Sequence, residues 1–296
     1  MNSLQRLQNL FSGKPIDRIP NFDIFMARAV RHIGVPLSKY YLDHRVLCEA
    51  NLAVLKDFDL DIVQTISDPY REAADAGLDV EFPKDNLPLS KTPLITEMDM
   101  LSKVNFPVKN FGARMTDRLE GIRWLKELLE KCVEVAIAFA SAQIDAGAHI
   151  IGLGDAVASQ ISPRMYREFA LSYEQRIFEA IKAKGGIPRL HICGKTTHLL
   201  KDMAQSGAQI IDADWMVDLH QAAEAFDGLA VCGNLDPVSI FLQGDTERVR
   251  QGIFANAAAG GPRWISAGGC EIPEDTPAEN IHAQNEALRE LAGQVL

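Results

Sequence analysis

The second half of the chain alternates between short apolar runs and longer amphipathic stretches. The runs 148–155 (AHIIGLGD), 187–193 (IPRLHIC) and 208–214 (AQIIDAD) have the length of buried strands. The stretch 162–186 opens with Ser-Pro and closes with Gly-Gly, residues that are typical of helix ends. Strands that alternate with helices predict βα units and a parallel sheet.

The same patterns predict the remaining elements. Further strands are expected at 18–25, 61–67, 229–236 and 263–270, and LDVEF (78–82) and TPLI (92–95) predict a small hairpin. Helices are expected at 3–12, 44–58, 117–146, 196–207, around 218–226 and 246–259, and from Pro277 onward. No linker or short repeat interrupts the pattern, so residues 1–296 are expected to form a single domain.

All seven predicted strands finish in polar or reactive side chains. These are Asp23, Asp68, Asp155, His191 with Cys193, Asp214, Asn234 with Asp236, and Cys270. In a (β/α)8 barrel of the TIM type the active site is built at the carboxyl ends of the strands, around the whole mouth. An open sheet would gather such residues near one crevice instead. The even spread therefore favours an α/β fold of the (β/α)8 type.

Composition narrows the range of functions. The 296 residues carry a net charge of −10 and no basic block, which argues against a nucleic-acid partner. No apolar run is long enough for a membrane span or a signal peptide. The five scattered cysteines do not form a disulfide framework, so a reducing, cytoplasmic location is expected.

The segment HICGKTTH (191–198) carries the candidate chemistry. His191 and Cys193 are two residues apart on a strand and therefore point to the same side. Cys270 ends the last strand, and barrel closure would bring it near them. An imidazole and two thiolates suit zinc, and three protein ligands are typical of a catalytic site. The alternatives are that the pair is core packing, or that Cys232 is a rival ligand.

Three motifs together resemble a known superfamily. HICG (191–194), GNLDP (233–237) and AGGCEIPEDTP (267–277) resemble the uroporphyrinogen decarboxylase superfamily, and more closely its corrinoid-dependent branch of the methylcobamide:coenzyme M methyltransferase type. The resemblance implies a (β/α)8 barrel and a zinc ion held by His191, Cys193 and Cys270. It also implies a carboxylate or the substrate in the fourth position, and Asp214 lies near where that acid would fall.

The resemblance further implies the reaction and its partners. A zinc-bound thiolate would take a methyl group from a methylated corrinoid, that is a methylcobalamin-type cobamide, carried by a corrinoid protein. The acceptor would be a thiol such as coenzyme M, or tetrahydrofolate. The resemblance is also compatible with a homo-oligomer. Asp68 and Asp155 are the candidate catalytic carboxylates, and Asn234 and Asp236 the candidate cofactor-binding residues. For Asp155, Asn234 and Asp236 the alternative role is capping the following helix.

Two other functions stay open. Asp68 could match the aspartate of a uroporphyrinogen decarboxylase, although the arginine-rich motif of those enzymes is reduced to Arg28 and Arg31 in this chain. The second open function rests on a missing structural unit. Members of the superfamily carry a strand and a helix around 125–131, whereas residues 117–146 of this chain predict one unbroken helix. The strand–helix unit is therefore expected to be missing. A barrel lacking a strand would expose sheet edges, which leaves a non-catalytic corrinoid- or metal-binding relative as a further candidate.

Overall fold

The computed structural model describes residues 1–62, 68, 70, 78–93 and 116–295. Within these residues there are four strands: β1 Ile150–Gly154, β2 Ile187–His191, β3 Ile210–Asp212 and β4 Ala230–Cys232. The helices are α1 Ser3–Phe11, α2 Ala27–Ile33, α3 Leu37–Leu42, α4 His44–Asp57, α5 Thr116–Asp145, α6 Pro163–Tyr166, α7 Ser172–Ala183, α8 Leu200–Met203, α9 Leu219–Ala225, α10 Thr246–Ala259 and α11 Ala278–Val295. A 3-10 turn covers Ala156–Gln160, and π-helical turns cover Arg167–Leu171 and Pro237–Leu242.

The four strands form a parallel sheet in chain order, β1-β2-β3-β4. The register aligns Ile150 with Ile187, and Ile210 with Ala230. Parallel neighbours in chain order require a crossover between each pair, and helical segments supply it. The sheet therefore has the βα organisation that the alternating pattern predicts.

The wall continues beyond β4 in the order that a (β/α)8 barrel requires. Cys232 bridges to Ile265 in parallel, and Ser266 bridges in parallel to Asn21. The backbone N–H of Asp61 then donates to the carbonyl of Asn21 at 2.9 Å. The predicted strands at 18–25 and 263–270 thus lie where two further barrel strands belong. In the described residues they pair with their neighbours only through isolated β-bridges. Most of the predicted strand 61–67 lies outside the described residues.

The first helix closes the amino-terminal end of this wall. Leu7 and Leu10 of α1 pack in one apolar cluster with Phe22, Ile210 and Ala230. Ile210 and Ala230 are the first residues of β3 and β4, so α1 lies under the strand starts. The opposite end, where the strands finish in polar side chains, is left as the mouth.

Three local predictions change in the structure. The predicted helix 196–207 is regular only over Leu200–Met203. Glu81, in the predicted hairpin strand LDVEF, pairs antiparallel with Leu89 rather than with the segment at 92–95, of which 94 and 95 lie outside the described residues. Helices α2 and α3 have no counterpart in the prediction, because segments of six or seven residues are too short to establish a helical period.

The long helical stretch is confirmed. Thr116–Asp145 forms one helix of 30 residues, and positions 125–131 lie inside it. Those positions therefore contain no strand. None of the described helices is both long enough and apolar enough to cross a lipid bilayer.

Candidate metal centre

His191 and Cys193 stand where β2 leaves the sheet. His191 is the last residue of the strand, and Cys193 follows two positions later on the same side. The His191 Nε2 atom lies 3.1 Å from Cys193 Sγ. Gly194 then takes a left-handed φ of 91°, which a side-chain-bearing residue adopts only with strain, so the chain turns away sharply after the cysteine.

Cys270 reaches the pair from the last segment of the wall. Its Sγ lies 3.9 Å from Cys193 Sγ, and the donor atoms of His191, Cys193 and Cys270 all lie within 4.8 Å of one another. Two sulfurs bound tetrahedrally to one zinc ion would be about 3.8 Å apart, and a sulfur and a nitrogen about 3.6 Å. The Sγ–Sγ distance matches that geometry closely, and the imidazole needs a shift of a few tenths of an ångström.

The Gly268-Gly269 pair makes this approach of Cys270 possible. A Cβ atom on Gly269 would lie 2.2 Å from the backbone nitrogen of Trp215, which no side chain tolerates. The Gly269 N–H donates to the carbonyl of Leu235 at 2.7 Å, and the Gly268 N–H donates to Asp23 Oδ1 at 2.8 Å. The loop before Cys270 is therefore pressed against the ends of β3 and β4.

The three donor groups shift the pKa values of one another through hydrogen bonds. Hydrogen bonds with Cys193 and His191 lower the pKa of Cys270 to about 4, and the same contact with Cys270 raises the pKa of Cys193. Burial has the largest single effect and lowers the pKa of His191, but its hydrogen bonds to Asp212 and Cys270 and the charge of Asp212 together outweigh burial and raise the pKa to about 9. One sulfur is therefore a thiolate at neutral pH, which favours a cation at this point.

Behind the imidazole lies a buried ion pair that the sequence patterns do not predict. Asp212 Oδ2 lies 2.7 Å from His191 Nδ1, and Arg189 Nε donates to Asp212 Oδ1 at 2.8 Å. Arg189 precedes His191 by two residues, so both point to the same side of β2. A charged residue in the middle of the apolar run IPRLH was the available signal.

Asp214 supports the same turn from β3. Its Oδ2 accepts the N–H of Gly194 at 2.8 Å and its Oδ1 accepts the N–H of Met216 at 3.0 Å. The group of three donors does not include Asp214, so its place as fourth ligand stays a prediction. Cys232, the rival ligand, is buried in the barrel interior with its Sγ 3.7 Å from Arg189 Nη2 and is outside that group too.

Asn234 and Asp236 bond to the protein itself. Asn234 Nδ2 donates to the carbonyls of Asp214 and Val217 at 3.1 and 2.7 Å. Asp236 Oδ1 accepts the N–H groups of Val238 and Ser239, which is the capping role that the sequence allowed. Their part in binding a cofactor stays a prediction.

The two candidate catalytic carboxylates differ in what surrounds them. Asp155 directly follows β1, and its N–H donates to the carbonyl of His191 at 3.0 Å. Burial raises its pKa, although the interaction with Glu174 acts in the opposite direction. Asp68 accepts the N–H of Tyr70 at 2.9 Å, and the residues on either side of Asp68 lie outside the described part of the chain.

Comparison with known proteins finds relatives of this chain with two different activities. The model of the uroporphyrinogen decarboxylase (URO-D) family matches residues 2–127 and 122–291. A uroporphyrinogen decarboxylase of Nostoc punctiforme is 36% identical over 172 residues, which cover 56% of this chain and 48% of the relative. The methylcobamide:CoM methyltransferase MtbA of Methanosarcina mazei is 34% identical over 164 residues, covering 55% and 48%.

The chain spans about half the length of the curated relatives it matches. Among solved structures, a methyltransferase from Methanosarcina mazei superposes with a TM-score of 0.78 at 21% identity, covering 98% of this chain and 99% of the other. At that identity the likeness establishes the fold. The α/β, (β/α)8-type prediction is confirmed by it, and the wall of strands described above is part of that fold.

Proposed function

Because the chain belongs to the uroporphyrinogen decarboxylase family, whose matched relatives are decarboxylases and methyltransferases, we propose that it is a zinc-dependent methyltransferase. In this proposal it moves a methyl group from a methylated corrinoid to a thiol, and residues 1–296 act as one domain. One observation carries the proposal: the ligand atoms of His191, Cys193 and Cys270 converge within 4.8 Å of one another at the mouth of the barrel.

The donor set suits zinc. His191, Cys193 and Cys270 would hold the ion, which would leave one position for Asp214 or for a substrate sulfur. When bound, zinc supplies a thiolate at neutral pH by displacing the proton of the incoming thiol. Two protein thiolates reduce the acidity of the metal, and this would keep the bound sulfur nucleophilic.

The residues of the chain would orient this chemistry. Asp214 holds the Gly194 turn, so that Cys193 stays aimed at the mouth. Asp155 follows β1, with its N–H bound to the carbonyl of His191, and in this proposal its carboxylate receives a substrate proton. In the transfer, the thiolate sulfur attacks the methyl carbon of the corrinoid. The S–C bond forms as the Co–C bond breaks, and the electron pair of the Co–C bond stays on cobalt.

A second function has an observation in its favour. The decarboxylase of Nostoc punctiforme is as similar to this chain as the methyltransferase of Methanosarcina mazei, at 36% against 34%. Decarboxylation of a polycarboxylate tetrapyrrole would not require the two sulfurs at the mouth, whereas thiol activation would. We therefore favour methyl transfer, with a corrinoid protein as the proposed donor partner and coenzyme M or another thiol as the acceptor.

The experiment measures metal and both activities on the same preparation. Zinc is determined by mass spectrometry, demethylation of methylcobalamin is followed by absorbance with coenzyme M or tetrahydrofolate as acceptor, and uroporphyrinogen consumption is followed separately. We expect about one zinc per chain and thiol-dependent demethylation. A preparation without zinc that consumes uroporphyrinogen would establish the decarboxylase, and full zinc without either turnover would establish a binding protein.

A further inference from the structure

The two ring nitrogens of His191 face different partners. Nε2 lies 3.1 Å from Cys193 Sγ, on the side where the three donor atoms meet. Nδ1 lies 2.7 Å from Asp212 Oδ2, on the side of the barrel interior. An ionised carboxylate only accepts hydrogen bonds, so contact with Asp212 requires the proton on Nδ1. The lone pair of the neutral ring is then on Nε2, where a metal ion would be bound.

Asp212 is itself held rigidly. Arg189 Nε donates to both of its carboxylate oxygens, at 2.8 and 3.1 Å, and the Arg189 guanidinium lies 5.5 Å from the centre of the Phe22 ring. Each of the two charged residues is only 5% exposed. Paired with the guanidinium of Arg189 at 2.8 Å, the carboxylate is ionised and fixed in place beside the ring.

The strand register creates this contact. Leu190 pairs with Ile211, so His191 and Asp212 are the next neighbours across β2 and β3. Arg189 is on the same side of β2 as His191, because two residues separate equivalent positions on a strand. The three side chains therefore form a line from the barrel interior to the mouth, with Arg189 behind Asp212 and Asp212 behind the imidazole.

We propose that Asp212, held by Arg189, is a positioning residue that fixes the tautomer and the orientation of His191 so that Nε2 is the metal-binding atom. The inference rests on the proposed zinc site and deepens it. The competing role is purely structural, in which Asp212 only neutralises a buried arginine. Asp212→Asn distinguishes the two roles, because it keeps the size of the side chain and replaces one acceptor oxygen with a donor NH2 group.

In Asp212→Asn, Arg189 can only donate and so captures the amide oxygen. The amide NH2 group is then left facing His191 Nδ1, and Nδ1 must become an acceptor. The ring proton moves to Nε2, where it opposes metal binding. Loss of such a partner lowers metal affinity by about 10- to 100-fold. Asp202→Asn is the matched control, since Asp202 is 7% exposed, pairs with Arg167 at 2.8 Å and lies outside the group of donors.

The test measures the zinc dissociation constant by competition with a chromophoric chelator, together with the absorption spectrum of the cobalt(II)-substituted chain. We expect Asp212→Asn to weaken zinc binding about 10- to 100-fold and to alter the cobalt d–d bands while thiolate-to-cobalt absorption is kept. Asp202→Asn should leave both unchanged. Asp212→Glu, which keeps an acceptor, should recover most of the affinity.

Every outcome decides the question. If the wild-type chain binds zinc and Asp212→Asn binds it equally, or if Asp202→Asn loses as much affinity, the inference fails and the proposed zinc site stands. If the wild-type chain binds no zinc, both fail. Should Asp212→Asn not fold, nitrogen-15 spectra of the histidines in the zinc-loaded wild-type chain serve instead. A proton on His191 Nδ1 supports the inference, and metal on Nδ1 overturns it.

Discussion

Glu174 is expected to make the stability of this protein fall as the pH rises. Its side chain is 3% exposed, and Tyr166 donates a hydrogen bond to Glu174 Oε2 at 2.5 Å. Burial raises the pKa of Glu174, the hydrogen bond from Tyr166 lowers it and the neighbouring carboxylate of Asp155 raises it, and together they take it from 4.5 to about 8. The folded state therefore holds a proton that the unfolded chain releases near pH 4.5, so the group stabilises the fold fully only below that pH.

The size of the effect follows from the two pKa values. A difference between 4.5 and about 8 corresponds to at most about 5 kcal/mol. The stabilisation is lost progressively as the pH rises from 4.5 through 8. About 3 kcal/mol of it should disappear between pH 6 and pH 9. Glu174→Gln replaces the protonated acid with an amide of the same shape that does not titrate, so this variant should not lose that part.

Urea denaturation at pH 6, 7, 8 and 9 measures the free energy of unfolding of both proteins. We expect the difference between Glu174→Gln and the wild-type chain to grow by about 3 kcal/mol in favour of the variant over that range. Glu179→Gln, at an exposed position of the same helix, is the matched control and should run parallel to the wild type. A difference that stays constant with pH would refute the argument, because it would mean that Glu174 ionises in the folded state without cost.

Further predictions concern the metal centre and its supports. Cys193→Ala should abolish zinc binding and demethylation together. Cys132→Ala, at an exposed helical position, is the control and should keep both. Zinc retained by Cys193→Ala would contradict the proposed ligand set. Gly269→Ala forces a Cβ against the Trp215 backbone and should cost about 1–3 kcal/mol and lower the zinc content, as measured by thermal denaturation and metal analysis. Asp236→Ala removes a helix cap and should cost about 1 kcal/mol of stability with zinc content unchanged; a loss of zinc would assign it a role in the site.

Much of the architecture was predictable from local patterns. The apolar runs 148–155, 187–193 and 208–214 became β1, β2 and β3. β3 is buried at every position, as an apolar strand with both faces covered should be. The stretch 162–186 became a helix from Pro163 to Ala183, with Ser162 accepting the N–H of Met165 at its start. Its middle turn, Arg167–Leu171, is π-helical, and no residue type in the sequence announces that change.

Short elements and their partners were less predictable. Helices α2 and α3 contain too few turns for a period to appear, and their stability depends on packing against α4 rather than on their own sequences. The partner of Glu81 proved to be Leu89, since pairing between short segments is decided by the surrounding structure and not by the segments.

The sequence by itself determined which strand ends carry reactive side chains, and the two-residue spacing of His191 and Cys193 already placed them on one side. The tertiary structure alone decided the distances: Cys270 Sγ lies 3.9 Å from Cys193 Sγ because the wall curves until a segment 77 residues away stands beside β2. It also decided the role of Asp212, whose contact with His191 depends on the register between β2 and β3. The physical reason is that backbone periodicity is encoded within a few residues, whereas the convergence of side chains from separate strands depends on how the whole sheet closes.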